Sequence, residues 1–200
     1  MRAPKRWRRS LATALLLAVV LPAPALAVAA STDAPASLRA GDDASSDQQA
    51  ISREIQLFQG SAITLSQAMA IAEALHRGST TADISFDGAA NAPVYRVETL
   101  HNDRIWQHAI DAATGRIVGG AAALPLNQLD ADDRSNLAAL RAVRQRLSDA
   151  VRVAEHATSG KAISGGLVRE GGRLHFTIVV ISGTEMKEVI LEPPGATGRK

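Results

Sequence analysis

The stretch AIDAATGRIVGG, residues 109–120, contains the residue types of a catalytic loop: an acid, a hydroxyl, a glycine and an arginine between two apolar runs. An Asp side chain can accept a hydrogen bond from the backbone two residues on, and Thr114 can do the same. Gly115 can adopt the positive φ that a tight turn needs. Because no base or metal cluster accompanies these residues, we predict that Asp111, Thr114 and Gly115 form a turn that ends a strand.

The histidines are the other residues that could do chemistry. His101 stands beside Asn102 and Asp103 at a predicted hairpin tip, where oxygen and nitrogen atoms could hold a weakly bound ion. His108 is predicted at the core edge with a local hydrogen bond, and His76 near a helix C-terminus, where a cation suits the helix dipole. No two histidines have the H-x-x-x-H spacing that places two imidazoles on one helix face. Weak metal or ligand binding is therefore only the alternative hypothesis.

Enzyme motifs are absent from the sequence. It has no G-x-S-x-G, H-E-x-x-H, P-loop or G-x-G-x-x-G motif, and only three phenylalanines and two tryptophans to line a pocket. We assign no catalytic, cofactor-binding or metal-binding residue, and predict a protein that is not an enzyme and needs no cofactor.

The first thirty residues have the pattern of a signal peptide. Five basic residues precede an apolar run over 11–21, and an A-x-A pattern allows cleavage after Ala27 or, three residues later, after Ala30. Arg8 and Arg9 leave a twin-arginine route open. The apolar run is shorter than the roughly 20 residues that span a bilayer. We therefore predict a periplasmic or secreted protein with no stable membrane anchor after signal removal.

The composition narrows the partners. After the signal, 17 basic residues face 20 acidic ones, a net charge of −3, which gives the chain no reason to bind nucleic acid. With no cysteine, it has neither a thiol nucleophile nor disulfides nor a lipid attached through cysteine.

The apolar pattern predicts the elements. Residues 31–49 are interpreted as a flexible linker and 50–60 as a short helix. Thr64 and Gln67 fit a capping box that opens a second helix. Strands are predicted near 82–86, 94–100 and 105–110, the last two joined at Asn102 and Asp103. One face of this hairpin, predicted to be the core side, then carries Tyr95, Val97, Thr99, Trp106, His108 and Ile110.

The chain repeats itself. The segment LSQAMAIAE at 65–73 returns as LSDAVRVAE at 147–155. The fold class is predicted as α+β: two tandem modules, over 61–120 and 147–200, each a helix on a three- or four-stranded antiparallel sheet. A long helix over 130–158 is predicted to bridge them. A purely architectural role, in which the two modules pack against one another as a pseudo-dimer, is a further hypothesis. The arginines near this bridge favour a solvated face over a patch for an acidic partner; they are Arg141, Arg144, Arg146 and Arg152.

These segments resemble the PepSY family of extracytoplasmic modules. The resemblance rests on ITLSQA at 63–68, VYRVE at 94–98 and IDAATGRI at 110–117. The second copy departs from the pattern, with His175 and Phe176 where the family has a tyrosine. The resemblance implies a helix on a small antiparallel sheet, no catalytic residues, and a role in restraining proteases or regulating envelope proteins.

A protein partner could bind an exposed sheet edge by backbone pairing. The candidate edges are residues 81–87 and 173–181, although the apolar run 176–181 also fits a buried central strand. We therefore expect a non-catalytic binding protein whose partner is a protease or another envelope protein.

Overall fold

The computed structural model of the protein describes residues 39–89, 92–170 and 173–193. The predicted signal peptide, the first part of the predicted linker and the last seven residues of the second predicted module lie outside these residues. The helices are α1 (Arg39–Gln59), α2 (Leu65–Ala74), α3 (Ala131–Ala142) and α4 (Leu147–Thr158). The strands are β1 (Thr80–Asp87), β2 (Val94–His101), β3 (Arg104–Asp111), β4 (Ala122–Pro125), β5 (Lys161–Glu170), β6 (Arg173–Ser182) and β7 (Glu185–Leu191).

The seven strands form one antiparallel sheet in the order β4-β3-β2-β1-β5-β6-β7. Each of the runs β1-β2-β3 and β5-β6-β7 is a meander, and the two join where Ile84 of β1 pairs with Gly165 of β5. The predicted α+β class is confirmed. The strands of the two predicted modules share a single continuous sheet.

Helices α2 and α4 cover one face of this sheet. The Thr64 hydroxyl accepts from the Gln67 backbone N–H, and the Gln67 side chain accepts from the Thr64 N–H, so the predicted capping box is present. The buried positions of the two helices are separated by the same 82 residues throughout: Leu65, Ala68, Met69 and Ala72 in α2, and Leu147, Ala150, Val151 and Ala154 in α4. Both sets belong to one core with the strands beneath them.

The β2–β3 hairpin has the predicted register. Asn102 and Asp103 both have positive φ, as a two-residue type I′ turn requires, and His101 pairs with Arg104 across it. The predicted face is turned towards α2, and five of its six side chains are buried: Tyr95, Val97, Thr99, His108 and Ile110.

The opposite face carries a second, smaller core. Leu100 and Ile105 point away from α2 and pack with Leu137 and Leu140 of α3. The predicted continuous bridging helix is therefore wrong, because α3 and α4 lie on opposite faces of the sheet. The chain passes between them through residues 143–146, where Val143 and Arg146 are extended.

Helix α1 begins at Arg39, inside the predicted flexible linker. Its apolar residues near the C-terminus, including Phe58, pack against the main core. Once this end is anchored, each further residue adds a backbone hydrogen bond without a new nucleation cost. This explains how the helix extends into a segment that lacks apolar periodicity.

Candidate functional site

The Asp111 loop is a self-contained turn. The Asp111 Oδ1 atom accepts hydrogen bonds from the Thr114 N–H (2.7 Å), the Ala113 N–H (3.0 Å) and the Thr114 hydroxyl (2.8 Å). The Thr114 bonds are the main reason that the pKa of Asp111 lies below its ordinary value. Gly115 has φ +70°, as expected for the turn. The carboxylate is thus held by the turn that it closes.

The same turn fastens the start of α2 to the sheet. The Ala112 carbonyl accepts from the N–H groups of Ala62 and Ile63, and the buried Tyr95 hydroxyl donates to the Ile63 carbonyl at 2.9 Å. These residues carry most of the family resemblance. Because their contacts hold the start of α2 against the sheet, we interpret these residues as determinants of the fold.

Three histidines and a tryptophan meet under the C-terminal end of α2. The His76 ring lies 4.0 Å from the ring of Trp106, 5.4 Å from that of His101 and 6.0 Å from that of His108, measured between centroids. We call this group the histidine cluster. No local sequence motif groups these three histidines, because they lie at positions 76, 101 and 108. The hairpin register already placed Trp106 and His108 on the face that α2 covers, which was the available signal.

His108 is the most buried member of the histidine cluster, at 4% exposure. Neither ring nitrogen has a hydrogen-bond partner among the residues that the structure describes, so the predicted local hydrogen bond is wrong. Burial lowers the pKa of His108, and the nearby His76 lowers it further. Thr99 and Trp106 pair across β2 and β3, and the Thr99 hydroxyl and the Trp106 indole N–H are likewise buried without a partner in the described part of the chain. The cluster therefore favours a neutral His108.

Among the described residues, the three histidines of the cluster are not arranged as ligands of one metal ion. His108 pairs with Val97, four residues along β2 from His101, which separates the two histidine backbones by roughly 13 Å. The His101 ring and the Asn102 side chain bond each other at 2.8 Å. Within the described ranges, no group of three or more His, Asp or Glu side chains could hold a metal ion.

Three of the four arginines near the bridge pair with acids of this chain. Arg141 forms an ion pair with Asp103 at the hairpin tip. The Arg146 guanidinium lies 3.3 Å from the Glu73 carboxylate of α2, measured from Nη1 to Oε2. Arg152 pairs with Asp149 one turn away. Arg141 therefore ties α3 to the β2–β3 hairpin, Arg146 ties the start of α4 to α2, and Arg152 pairs within α4 itself.

The exposed edges of the sheet are not the predicted ones. Strand β1, which contains residues 81–87, pairs with β2 and β5, and β6, which contains 173–181, pairs with β5 and β7. Both predictions are wrong because the two meanders join through β1 and β5. The alternative interpretation of the run 176–181 as a buried central strand is confirmed.

The outer strands of the sheet are β4 and β7. Strand β4 has four residues and ends at Pro125, which has no N–H to donate. Strand β7 has seven residues and no proline. No described strand pairs with its outer side. It is therefore the longer of the two exposed edges.

The outward-facing groups of β7 follow from its turn. Gly183, with φ +63°, begins a two-residue turn that is closed by the pair Ser182 and Glu185. Hydrogen-bonded and non-hydrogen-bonded pairs alternate from this closing pair. The backbone N–H and C=O groups that face away from β6 therefore belong to Met186, Glu188 and Ile190. Their side chains lie on the face opposite α4, whereas Val189 and Leu191 pack against the main core.

Comparison with known proteins finds a family match for the segment that contains α2 and β1 to β3. Residues 62–120 match the PepSY family model, described as the peptidase propeptide and YPEB domain. PepSY domains are typically non-catalytic and extracytoplasmic, which fits a regulatory binding role.

One solved structure also aligns with the chain. This protein of Clostridium difficile 630, described as a candidate lipoprotein, aligns over 72% of this chain and 95% of its own, with 16% identity and a TM-score of 0.40. No curated protein matches the sequence significantly. None of the described helices has the length and apolar content that a membrane span requires.

Proposed function

We propose that this protein is a non-catalytic extracytoplasmic regulator that binds a protein partner through strand β7. The observation that carries the proposal is the seven-residue edge of β7, whose backbone groups at Met186, Glu188 and Ile190 face outward. An extended segment of a partner can add to such an edge, with backbone hydrogen bonds supplying affinity. The PepSY match over 62–120 supports a binding role.

The extracytoplasmic location is supported by two observations. The first thirty residues have the charge and apolar pattern of a signal peptide, and PepSY domains occur typically outside the cytoplasm. A protease or another envelope protein is the partner class that fits this location and the family.

We further propose that residues 147–193 derive from a second copy of the PepSY unit. The burial pattern of α4 repeats that of α2 at a constant spacing of 82 residues, and each helix precedes a three-stranded antiparallel meander. In this proposal, pairing of β1 with β5 joins the two copies edge to edge and leaves β7 as the open end.

The test compares Glu188→Pro with Glu188→Ala in the full chain, purified after export. Proline removes an outward-facing N–H without removing a bond to β6, whereas alanine changes only the side chain. Both variants should melt within a few degrees of the parent. The proteolytic activity of the host's extracytoplasmic fraction is then titrated with each protein, using a labelled protein substrate.

We expect inhibition by the parent, inhibition only at a higher concentration by Glu188→Ala, which keeps the backbone N–H but loses the carboxylate, and no inhibition by Glu188→Pro. No inhibition at a large excess of the parent would exclude a protease as the partner. Cross-linking in whole cells then tests the edge itself: if the parent and Glu188→Pro capture the same proteins in equal yield, β7 is not the binding surface.

A further inference from the structure

Strand β7 corresponds to β3, whose outer side is already occupied. Each is the third strand of its meander and follows a two-residue turn, at 102–103 in one case and 183–184 in the other. When the turns are aligned, Arg104 corresponds to Glu185 and Gln107 to Glu188. Strand β4 pairs antiparallel with β3 over this stretch, from Arg104 to Gln107. The pairing of β4 with β3 therefore shows, within this chain, how a further strand binds the outer side of the third strand of a meander.

The outward-facing positions of the two strands agree. Besides its pairing with β4, β3 accepts at its outer side a bond from the Val118 N–H to the Ala109 carbonyl at 2.8 Å. Ala109, Gln107 and Ile105 are therefore the outward-facing residues of β3, and they correspond to Ile190, Glu188 and Met186. On β4, Leu124 lies opposite Ile105 and extends the second core. In the first meander, the position that corresponds to Met186 is therefore paired with an apolar residue.

The side chains of β7 define the rest of a complementary strand. Met186 is 40% exposed and Ile190 57% exposed, on either side of Glu188. Lys187 and Glu185 lie on the other face and bond each other at 3.4 Å. Glu188 has no ion pair with any other described residue. Directly opposed residues of an antiparallel pair have Cβ atoms about 5 Å apart, so a Lys or Arg opposite Glu188 could reach its carboxylate.

We infer that the partner contributes an extended segment, antiparallel to β7, with the pattern apolar–any–basic–any–apolar. Its basic residue lies opposite Glu188, and its apolar residues lie opposite Met186 and Ile190. This inference rests on the proposed function of β7 as the binding edge and adds the chemistry of its partner.

A second copy of this chain is a poorer occupant. Antiparallel pairing of two β7 strands that uses all three outward-facing residues places Met186 opposite Ile190 and Glu188 opposite its own copy. Like charges directly opposed across a strand pair are destabilising. The negative charge of Glu188 therefore favours a basic partner segment over self-association.

The test is a charge exchange between protein and peptide. Two capped seven-residue peptides have Val at positions 2 and 6 and Thr elsewhere, except that position 4 is Lys in one and Glu in the other. Each is titrated into the isotopically labelled full chain and its Glu188→Lys variant, and the amide signals of residues 185–191 are followed by NMR. We expect the parent to bind the Lys peptide about three- to tenfold more tightly and the variant to show the reverse preference.

Equal affinity of both peptides for both proteins would overturn the recognition pattern. The role of β7 as the binding edge would then be decided by the comparison of Glu188→Pro with the parent. Perturbation of amides elsewhere, with residues 185–191 unmoved, would also overturn it. Sedimentation of the parent as a dimer at neutral pH, dissociated by Glu188→Pro, would show that a second copy occupies the edge. The peptides can bind β7 with the expected charge preference while Glu188→Pro still captures the cellular partner. In that case the proposed function fails, and the inferred recognition of a basic strand by β7 is retained.

Discussion

Glu73 and Glu155 make the same contact in the two halves of the sheet. Glu73, near the end of α2, accepts a hydrogen bond from the Thr81 N–H at 2.9 Å, and Glu155 of α4 accepts one from the Ala162 N–H at 2.9 Å. Each carboxylate therefore bonds the start of the strand that follows its helix. The two glutamates are 82 residues apart, the spacing that relates the buried residues of the helices, and the two N–H donors are 81 residues apart. A contact between equivalent elements, repeated to within one residue, supports the proposed duplication.

We predict that Glu73→Ala and Glu155→Ala both lower the free energy of unfolding. Each leaves a buried strand N–H without its partner, and Glu73→Ala also leaves the Thr81 hydroxyl unpaired. An unsatisfied buried polar group costs about 1–3 kcal/mol. Urea unfolding followed by circular dichroism measures both changes.

Glu188→Ala serves as the matched control, because the Glu188 side chain is exposed and bonds no other described residue. A change of about 0.5 kcal/mol or less is expected for it. If the substitutions at Glu73 and Glu155 prove equally mild, the two carboxylates do not secure their strands.

The pH dependence of stability should reflect His108. Because its folded-state pKa is lowered, the unfolded chain binds the proton more readily than the folded one. The stability contributed by neutral His108 is therefore complete above its ordinary pKa of 6.5 and declines as the pH falls below that value towards the lowered one. We predict that His108→Leu weakens this decline and changes the stability at pH 7.5 by about 1 kcal/mol or less, since it replaces an unpartnered buried group with an apolar one.

The measurement is urea unfolding of both proteins at pH 7.5 and pH 5.5. His156→Leu, at the exposed C-terminal turn of α4, is the control and should retain the parent's pH dependence. An unchanged decline in His108→Leu would assign the effect to another group, with His76 and His101 the nearest titratable neighbours in the histidine cluster.

The local parts of the fold could be predicted because short-range chemistry determines them. The capping box at Thr64, the turn at Asn102 and the Asp111 loop each depend on residues within a few positions of one another. The relation of distant segments could not be predicted in the same way. An apolar stripe that includes Leu137 and Leu147 does not reveal that these residues face opposite sides of the sheet, so the stripe predicts one helix where the structure has two.

The candidate site shows the same limit. Which strand is an edge depends on the pairing of β1 with β5, a contact between segments about 80 residues apart. The alternation of apolar residues is compatible with either an edge or an interior position, because it defines only the faces of a strand. The histidine cluster likewise needed the position of His76 over the hairpin, which no local pattern encodes.

Close packing of α4's C-terminus against the sheet predicts a steric effect at Gly160. A Cβ atom there would lie 2.5 Å from the Ile181 carbonyl oxygen and 2.6 Å from a Val180 methyl carbon. We expect Gly160→Ala to destabilise the protein by about 1–3 kcal/mol, because the backbone must move to relieve the overlap. The control is Gly120→Ala, whose Cβ would meet no atom within 4 Å. The melting temperatures of the two variants should differ by several degrees. Equal melting temperatures would mean that the backbone of β5 and β6 moves to accommodate the methyl group without loss of stability.

The second half of the sheet should not fold without its helix. In a fragment of residues 160–200, the helix-facing side of β6, with Phe176, Ile178 and Val180 each fully buried in the intact protein, would lose the cover of α4. A three-stranded sheet of this size lacks the apolar burial to offset its conformational entropy. We predict a narrow, poorly dispersed amide NMR spectrum for the fragment, next to a dispersed one for the full chain. A sharp, dispersed spectrum from the fragment would show that β5 to β7 need no helix, and would remove α4 from the account of what holds the β7 edge in place.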